Sequence, residues 1–170
     1  MNYHNIKHDD MNNGDGIRVT LFVAACCHHC KGCQNPETWS INGGVPFDLD
    51  AFFEICDELE KDYVSGLTLS GGDPLHPANR DTITDICKKV KYLYPHKTIW
   101  LYTGYQYEDI KHLSVLNYID VLVDGKYVEE LRDISLEWVG SKNQRVIRLK
   151  KKKKKMEQSK NLTKKKSSMP

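Results

Sequence analysis

Short apolar runs alternate with amphipathic segments over most of this chain. Four runs have the length and composition of buried strands, at residues 17–25, 66–70, 98–102 and 121–123. Apolar residues at helical spacing follow Asp48, whose side chain is typical of a helix N-cap, and recur between Ile83 and Leu93. A short helix is predicted near residues 107–112. The first residues of the chain are polar, and residues 13–16 mark a turn.

Strands that alternate with helices predict a parallel sheet covered by helices. The pattern provides only a handful of strand–helix units, too few to close an eight-stranded barrel of ordinary size. We therefore expect an α/β fold: an open partial barrel of strand–helix units with a mostly parallel sheet.

Charge divides the chain into two parts. The 170 residues carry a net charge of +2 and suffice for one domain with a real core. Residues 150–170 hold ten lysines against the single acid Glu157, a net charge of +9, which leaves −7 on residues 1–149. Such a lysine-rich segment cannot bury apolar surface, and we expect a disordered tail after a domain at residues 1–149. The tail either binds nucleic acid or acidic surfaces electrostatically or is an inert appendage, and we favour the appendage.

Targeting signals and membrane spans are missing from the sequence pattern. No apolar run approaches the length of a membrane span, and the N-terminus has no signal-like apolar stretch. We therefore expect a soluble cytoplasmic protein without a membrane partner, in a compartment where free and metal-bound thiolates persist.

Three cysteines follow the first predicted strand at C-x3-C-x2-C spacing: Cys26, Cys30 and Cys33. They supply three thiolates, whereas a structural zinc site usually closes its tetrahedron with four protein ligands. An iron–sulfur cluster held by three thiolates keeps one iron open to a small molecule. The spacing alone favours such a cluster over zinc.

Two other interpretations of these cysteines stay open at this point. Zinc binding would recruit His28, His29 or Cys27 as a fourth ligand, and the remaining interpretation is that no metal binds. Disulfides fit poorly, because no signal peptide precedes the cysteines and adjacent cysteines do not pair readily. Cys27 is predicted to be a packed bystander rather than a spare ligand. Cys56 and Cys87 fall on amphipathic helical faces and are predicted core residues.

Four loops of unusual composition each follow a predicted strand: the cysteine run and residues 71–74, 103–105 and 124–126. The carboxyl ends of parallel strands lie on one side of a sheet, where ligands bind. A need for glycine in a turn would explain any one of these loops, but explains all four together less well. The pattern therefore predicts one site where the four loops converge.

The loop residues suggest how a small molecule would be held there. Gly71 and Gly72 let backbone groups approach a ligand closely, because no Cβ intervenes. Asp73 either adds negative charge or caps the following turn. Gly32 and Gln34 flank the third cysteine and lie beside the outer part of a cofactor.

Other side chains near these loops have two interpretations each. Tyr102 and Tyr105 either stack on an aromatic ring of the ligand or pack in the fold. Lys126 either meets a carboxylate or is solvated. Asp15 and Arg18, which precede the cysteine run, either orient ligands or are ordinary surface charges.

The cysteine spacing and the run Gly71-Gly72-Asp73-Pro74 resemble the radical S-adenosylmethionine (SAM) enzymes. More specifically, the chain is similar to the anaerobic ribonucleoside-triphosphate reductase-activating proteins. The matching stretches, in order along the chain, are residues 13–18, 21–23, 26–35, 67–75, 100–105, 121–126 and 140–145. Asp15 stands where members commonly have proline, and Ala25 stands where glycine usually precedes the first cysteine.

The resemblance implies that Cys26, Cys30 and Cys33 bind a 4Fe-4S cluster whose fourth iron binds SAM. The residues predicted to bind the cofactors are Gly32, Cys33, Gln34, Gly71, Gly72 and Asp73. No catalytic side chain beyond the cluster and SAM is implied. The fold implied is the open partial barrel of the radical SAM type. Reductive cleavage of SAM would then lead to a glycyl radical on the anaerobic ribonucleoside-triphosphate reductase.

The resemblance also implies partners, namely the reductase, a flavodoxin-like electron donor and a second copy of the chain in a homodimer. A near alternative is an activator of another glycyl-radical enzyme of the pyruvate formate-lyase type. Residues 102–105 and 143–145 favour the reductase. A zinc-stabilised nucleic-acid-binding module is a more distant alternative, which the acidic body disfavours.

Overall fold

The computed structural model describes residues 1–149, so the predicted lysine-rich tail lies outside the described residues. Seven strands form one sheet: β1 (Asn2–Asp10), β2 (Ile17–Val23), β3 (Val45–Pro46), β4 (Val64–Gly71), β5 (Thr98–Tyr102), β6 (Val121–Asp124) and β7 (Arg145–Arg148). Residues 1–149 also form three α-helices, α1 (Leu49–Glu60), α2 (Arg80–Leu93) and α3 (Tyr107–Ile110). Single 3-10 turns lie at Pro36–Trp39, Ser114–Asn117 and Glu129–Leu131.

The sheet has the order β3-β1-β2-β4-β5-β6-β7. The four central strands β2, β4, β5 and β6 run parallel, and β1, β3 and β7 are antiparallel to their neighbours. The sheet formed by residues 1–149 is open, with β3 and β7 at its edges. A mixed α/β fold with a mostly parallel centre is therefore confirmed. Among these residues no helix is both long and apolar enough to cross a membrane.

The sequence pattern missed the antiparallel strands β1 and β7, as well as the two-residue strand β3. Polar side chains dominate β1, and of its residues only Ile6 and Asp10 are buried. β7 is an edge strand whose residues are mostly exposed. Neither strand buries enough apolar surface to produce the alternation from which a strand is predicted.

The predicted helices are confirmed, but their buried faces differ in part from expectation. The Asp48 carboxylate accepts a hydrogen bond from the Ala51 amide at 3.0 Å and caps α1. Of the apolar residues at helical spacing after Asp48, Leu49 and Phe53 are 67% and 57% exposed. The buried face of α1 also carries Cys56, and Cys87 is buried on α2, as predicted for both cysteines.

Arg18 is neither a surface charge nor a residue near the converging loops. Its guanidinium is fully buried and lies across the start of β2, β4 and β5. It donates hydrogen bonds to the Thr68 hydroxyl at 2.7 Å, the Leu67 carbonyl at 2.9 Å and the Thr98 carbonyl at 2.9 Å. Burial lowers its pKa to about 10. The side chain links three parallel strands near their starts, at the opposite end of the sheet from the loops.

The ring of Trp100 lies between two guanidinium groups, which makes a matched comparison available. The Cζ atom of Arg18 is 5.6 Å from the ring centroid, and that of Arg148 is 5.7 Å away. The side chain of Arg148 is 65% exposed and pairs with Asp15 at 2.8 Å.

We expect Arg18→Met to lower the free energy of unfolding by about 3 kcal/mol, because buried strand carbonyls lose their donors. Arg148→Met should cost less than about 1 kcal/mol, because its ion pair is exposed. Urea unfolding of both variants checks the prediction. Equal losses from the two substitutions would contradict the role assigned to Arg18.

Candidate functional site

The loops that follow β2, β4, β5 and β6 meet around one cavity of about 360 Å³. This convergence was predicted from the parallel strand pattern. Of the residues predicted from sequence, those that line the cavity are Cys26, Cys30, Cys33, Gln34, Gly71, Gly72 and Tyr102. The long loop after β6 also adds an apolar wall, formed by Leu136, Trp138 and Val139, well beyond the predicted residues 124–126. The sequence pattern gave no indication of that wall.

The three cysteines of the predicted cluster site are free, half-buried thiols on a single loop. The Cys33 amide donates to the Cys30 carbonyl at 3.1 Å, which turns the loop so that both residues reach the cavity. Burial raises the pKa of Cys26 to about 11, while the amides of His28 and His29 donate to its sulfur and oppose that rise. Burial also raises the pKa of Cys30.

This donor set fits an iron–sulfur cluster. Three soft sulfur ligands converge on one cavity that also has room for a small molecule. Thiols with a raised pKa stay protonated at neutral pH, so metal binding has to displace their protons. Among residues 1–149 no three His, Cys, Asp or Glu side chains are grouped closely enough to hold a single ion. The fit to a cluster therefore rests on the cavity that the three thiols share.

The other polar residues of the cysteine run have distinct surroundings. Cys27 is exposed rather than packed, with its sulfur 3.4 Å from the Tyr105 hydroxyl. The ring of His29 lies edge-on to Trp39, with 4.8 Å between the ring centroids. His28 is turned inward, and its Nε2 is 2.6 Å from the carboxylate of Asp73.

Asp73 is fully buried behind the cavity. Its carboxylate accepts hydrogen bonds from the Leu75 amide at 2.7 Å, the Thr103 hydroxyl at 2.9 Å and the Gly104 amide at 3.0 Å. Of the two roles considered for this residue, the structure supports the cap of the following turn. The same carboxylate connects the loop after β4 with the loop after β5.

The two glycines after β4 allow this loop to lie directly against the cysteine run. The Gly72 amide donates to the Val23 carbonyl at 2.8 Å, and the Asp73 amide donates to the Ala25 carbonyl at 2.7 Å. A Cβ on Gly72 would lie 2.5 Å from the Ala25 carbonyl oxygen and 2.9 Å from that of Thr38. The absence of a side chain at Gly72 is thus required for backbone packing as well as for access to a ligand.

Three positions in the cysteine loop have left-handed backbone geometry: Ala25, His29 and Gly32. Ala25 has a φ of +75°, the conformation that a glycine before the first cysteine would adopt readily. The alanine therefore keeps the loop geometry expected at a glycine. Gly32 has a φ of +73°, and a Cβ there would lie 2.1 Å from a carboxylate oxygen of Glu129.

The remaining predicted side chains have three different surroundings. Tyr105 packs edge-on against His28, with 4.7 Å between the ring centroids. Tyr102 lines the cavity, and its buried hydroxyl has no hydrogen-bond partner among residues 1–149. Lys126 is exposed, and its carbonyl accepts a hydrogen bond from Asn143 at 2.7 Å.

A second buried carboxylate, Asp124 at the end of β6, was not singled out from the sequence. It accepts hydrogen bonds from the Arg145 guanidinium, at 3.0 Å from Nε, and from the Tyr107 amide at 2.8 Å. Gln144 holds the adjacent turn, because its side-chain amide donates to the Gly125 carbonyl at 3.0 Å. The loop predicted at residues 124–126 and the resemblance of residues 121–126 and 140–145 pointed to this region, but not to the contact itself.

We expect Gly72→Ala to destabilise the protein by about 1–3 kcal/mol, because the new Cβ meets two backbone carbonyls that can only move with their loops. The variant should also retain less iron after anaerobic reconstitution, since the cysteine run must shift. Gly140→Ala is the control: it lies on the same cavity, and its Cβ would meet side chains rather than backbone, Tyr127 at 3.0 Å and Gln144 at 3.6 Å. Thermal unfolding and iron content measure both effects, and equal behaviour of the two variants would refute the packing argument.

Comparison with known proteins places this site in a wider context. A family model described as a 4Fe-4S single cluster domain matches residues 12–147. An anaerobic ribonucleoside-triphosphate reductase-activating protein from Enterobacteria phage T4 is 49% identical over 146 residues, which cover 86% of this chain and 93% of the relative.

Relatives with the same name occur in bacteria. The protein from Haemophilus influenzae is 46% identical and that from Escherichia coli K12 is 43% identical. Each alignment covers 88% of this chain and 99% of the relative. The matched region includes the cysteine run, the glycine loop and the segment that closes the cavity. The chain therefore belongs to the family of anaerobic ribonucleoside-triphosphate reductase-activating proteins.

Proposed function

We propose that this protein activates an anaerobic ribonucleoside-triphosphate reductase by radical SAM chemistry. The observation that carries the proposal is that Cys26, Cys30 and Cys33 face one cavity together with the glycine loop after β4. Three thiolates would leave one iron of a 4Fe-4S cluster open for SAM. The names of the relatives support the reductase as the target.

The proposed cofactor contacts divide between the two loops. Gly32, Cys33 and Gln34 would contact SAM from the cysteine run, and Gly71 and Gly72 from the other side. The Gly72 amide already donates to Val23, so we propose that carbonyl oxygens of this loop accept hydrogen bonds from the SAM ammonium group. When bound, the reduced cluster would donate one electron to SAM, and cleavage of SAM would supply methionine and a 5′-deoxyadenosyl radical able to take a hydrogen atom from a glycine of the reductase.

The residues of this chain would bind the cofactors, orient them and keep water out of the site. The apolar wall of Leu136, Trp138 and Val139 lines the cavity that the cysteines also line and would keep water away from the reacting atoms. Trp138 has a φ of +64°, which is a genuine outlier for so bulky a side chain, and its ring lies edge-on to that of Trp100. Tyr102 adds a buried hydroxyl that can donate to, or accept from, a bound ligand.

Several finer points belong to the same proposal. The open sheet would curve into the partial barrel of the radical SAM type. A flavodoxin-like protein would deliver the electron, and two copies of the chain would form a homodimer. The cytoplasm would be the location, because cluster thiolates persist in a reducing compartment.

Two cysteines of the same loop, Cys27 and Cys30, provide the matched test. We expect anaerobically reconstituted Cys30→Ala to lose the cluster and to form no 5′-deoxyadenosine from SAM and dithionite. Cys27→Ala should keep both the cluster and the activity of the unmodified chain, because its exposed thiol is not among the residues that line the cavity. Iron content, visible absorption and product chromatography measure these outcomes.

Two results would contradict the proposal. Loss of iron from Cys27→Ala with retention in Cys30→Ala would mean that the ligand set is wrong. Stoichiometric zinc in place of iron, with no 5′-deoxyadenosine from the unmodified chain, would refute radical SAM chemistry altogether.

A further inference from the structure

The long loop after β6 carries apolar side chains from the cavity to the protein surface. Three of them line the cavity: Leu136, Trp138 and Val139. Two more, Leu131 and Ile134, lie on the outside and are 41% and 90% exposed. We refer to residues 129–139 as the rim segment. The rim segment therefore presents apolar surface both to the cavity and to solvent.

A turn places Ile134 next to the cavity wall. The Ser135 amide donates to the Asp133 carboxylate at 3.0 Å, and the Leu136 amide donates to the Asp133 carbonyl at 3.4 Å. Ile134 and Ser135 are thus the two central residues of the turn. Consecutive Cα atoms are about 3.8 Å apart, so the Cα of Ile134 lies within about 8 Å of that of Leu136. The exposed isoleucine is therefore beside the cavity.

Hydrogen bonds at the base of the loop hold the rim segment in place. The Gly140 amide donates to the side-chain oxygen of Gln144 at 2.9 Å, and the Asn143 side-chain amide donates to the Lys126 carbonyl at 2.7 Å. These contacts connect the two ends of the loop to the turn before β7. A partner that binds the rim segment would therefore not have to order it first, which lowers the entropic cost of binding.

The rim segment also lies against the cysteine run. Glu130 pairs with Lys31 at 3.3 Å, and the Glu129 carboxylate occupies the space where Gly32 lacks a side chain. A protein bound to the rim segment would thus be close to the predicted cluster ligands as well as to the cavity.

The charge of the rim segment favours a basic partner. Four acidic residues stand against one arginine, which gives a net charge of −3; the residues are Glu129, Glu130, Asp133, Glu137 and Arg132. Surfaces of opposite charge attract during association and orient the two proteins. A partner that fits here combines an apolar pocket with basic side chains around it.

The proposed function requires a partner protein to reach this position. A hydrogen atom can pass from a glycine of the reductase only if that glycine comes into contact with the reacting atoms in the cavity. The reductase surface around the glycine must then cover the rim segment. Single exposed apolar residues are common on protein surfaces, so the place of Ile134 beside the cavity, rather than its exposure alone, carries the inference.

We propose that Leu131 and Ile134 are the contact by which the rim segment recognises the reductase, in an apolar pocket of the reductase that basic side chains surround. The inference rests on the proposed function for the identity of the partner. Ile134 acts in recognition and contacts neither SAM nor the cluster.

Direct binding tests the proposal without any chemistry. Isothermal titration calorimetry of the reconstituted chain with an anaerobic ribonucleoside-triphosphate reductase, in the absence of SAM, gives the dissociation constant. We expect Ile134→Ser to weaken binding by about 10- to 100-fold, the effect of no longer burying one isoleucine side chain. Leu131→Ser should weaken it by a smaller factor, because less of its side chain is free to be covered.

A matched control is available at the other end of the molecule. Tyr92 is 85% exposed and lies near the end of α2, which leads back to the start of β5 and so away from the cavity. Tyr92→Ser should leave the dissociation constant unchanged. High salt should weaken binding of the unmodified chain, because salt screens the attraction between the acidic rim segment and a basic partner.

Activity measurements separate recognition from catalysis. Ile134→Ser should form 5′-deoxyadenosine from SAM and dithionite as fast as the unmodified chain when no reductase is present. The reductase concentration that gives half-maximal glycyl radical should rise by the same factor as the dissociation constant.

The inference would be overturned by equal affinities of Ile134→Ser and the unmodified chain, by an equal loss in Tyr92→Ser, or by binding that does not depend on salt. A change in the self-association of the chain in Ile134→Ser, seen by sedimentation, would assign the patch to a second copy instead and would overturn it too. A chain that binds the reductase through Ile134 but forms no 5′-deoxyadenosine would contradict the proposed function alone.

Discussion

The close approach of the cysteine run to the glycine loop is the constraint on which the rest of the site depends. Two backbone hydrogen bonds, Gly72 to Val23 at 2.8 Å and Asp73 to Ala25 at 2.7 Å, continue the pairing of β2 and β4 beyond the strands. Neighbouring parallel strands finish at the same end of a sheet, so the loops that follow them must pack into the same space. Both loops fit there because one contains glycines and the other adopts left-handed backbone geometry.

Buried charged side chains at the two ends of the parallel strands have different roles. Arg18 joins strands at the end of the sheet away from the cavity, where it donates hydrogen bonds to the carbonyl groups of Leu67 and Thr98. Asp73 and Asp124 lie at the carboxyl ends of the parallel strands and accept hydrogen bonds from loop amides. Each buried charge is tolerable only because several polar partners surround it. The loops are thus held in position by the hydrogen bonds that their amides donate to the buried carboxylates.

Sequence reasoning succeeded where a local pattern carried the information. Apolar runs located the four parallel strands, and Asp48 marked the start of α1. The convergence of loops followed from strand direction alone. The antiparallel strands β1 and β7 were missed because exposed, polar strands leave no periodic signal.

Burial of single polar residues could not be predicted in the same way. The partners of Arg18 lie as far as 80 residues along the chain, and His28 meets Asp73 across 45 residues. Nothing in the local sequence distinguishes His28 from His29, yet one is buried and the other exposed. Such assignments require the tertiary structure, because burial is a property of the assembled loops.

The most direct test of the account is electron paramagnetic resonance of the reductase after activation. The reconstituted chain, SAM and dithionite are incubated anaerobically with an anaerobic ribonucleoside-triphosphate reductase, and the radical is quantified. The account predicts a glycyl radical on the reductase that appears only when Cys26, Cys30 and Cys33 are all present. A reductase that stays radical-free, although this chain carries its cluster and cleaves SAM, would contradict the assignment of the partner.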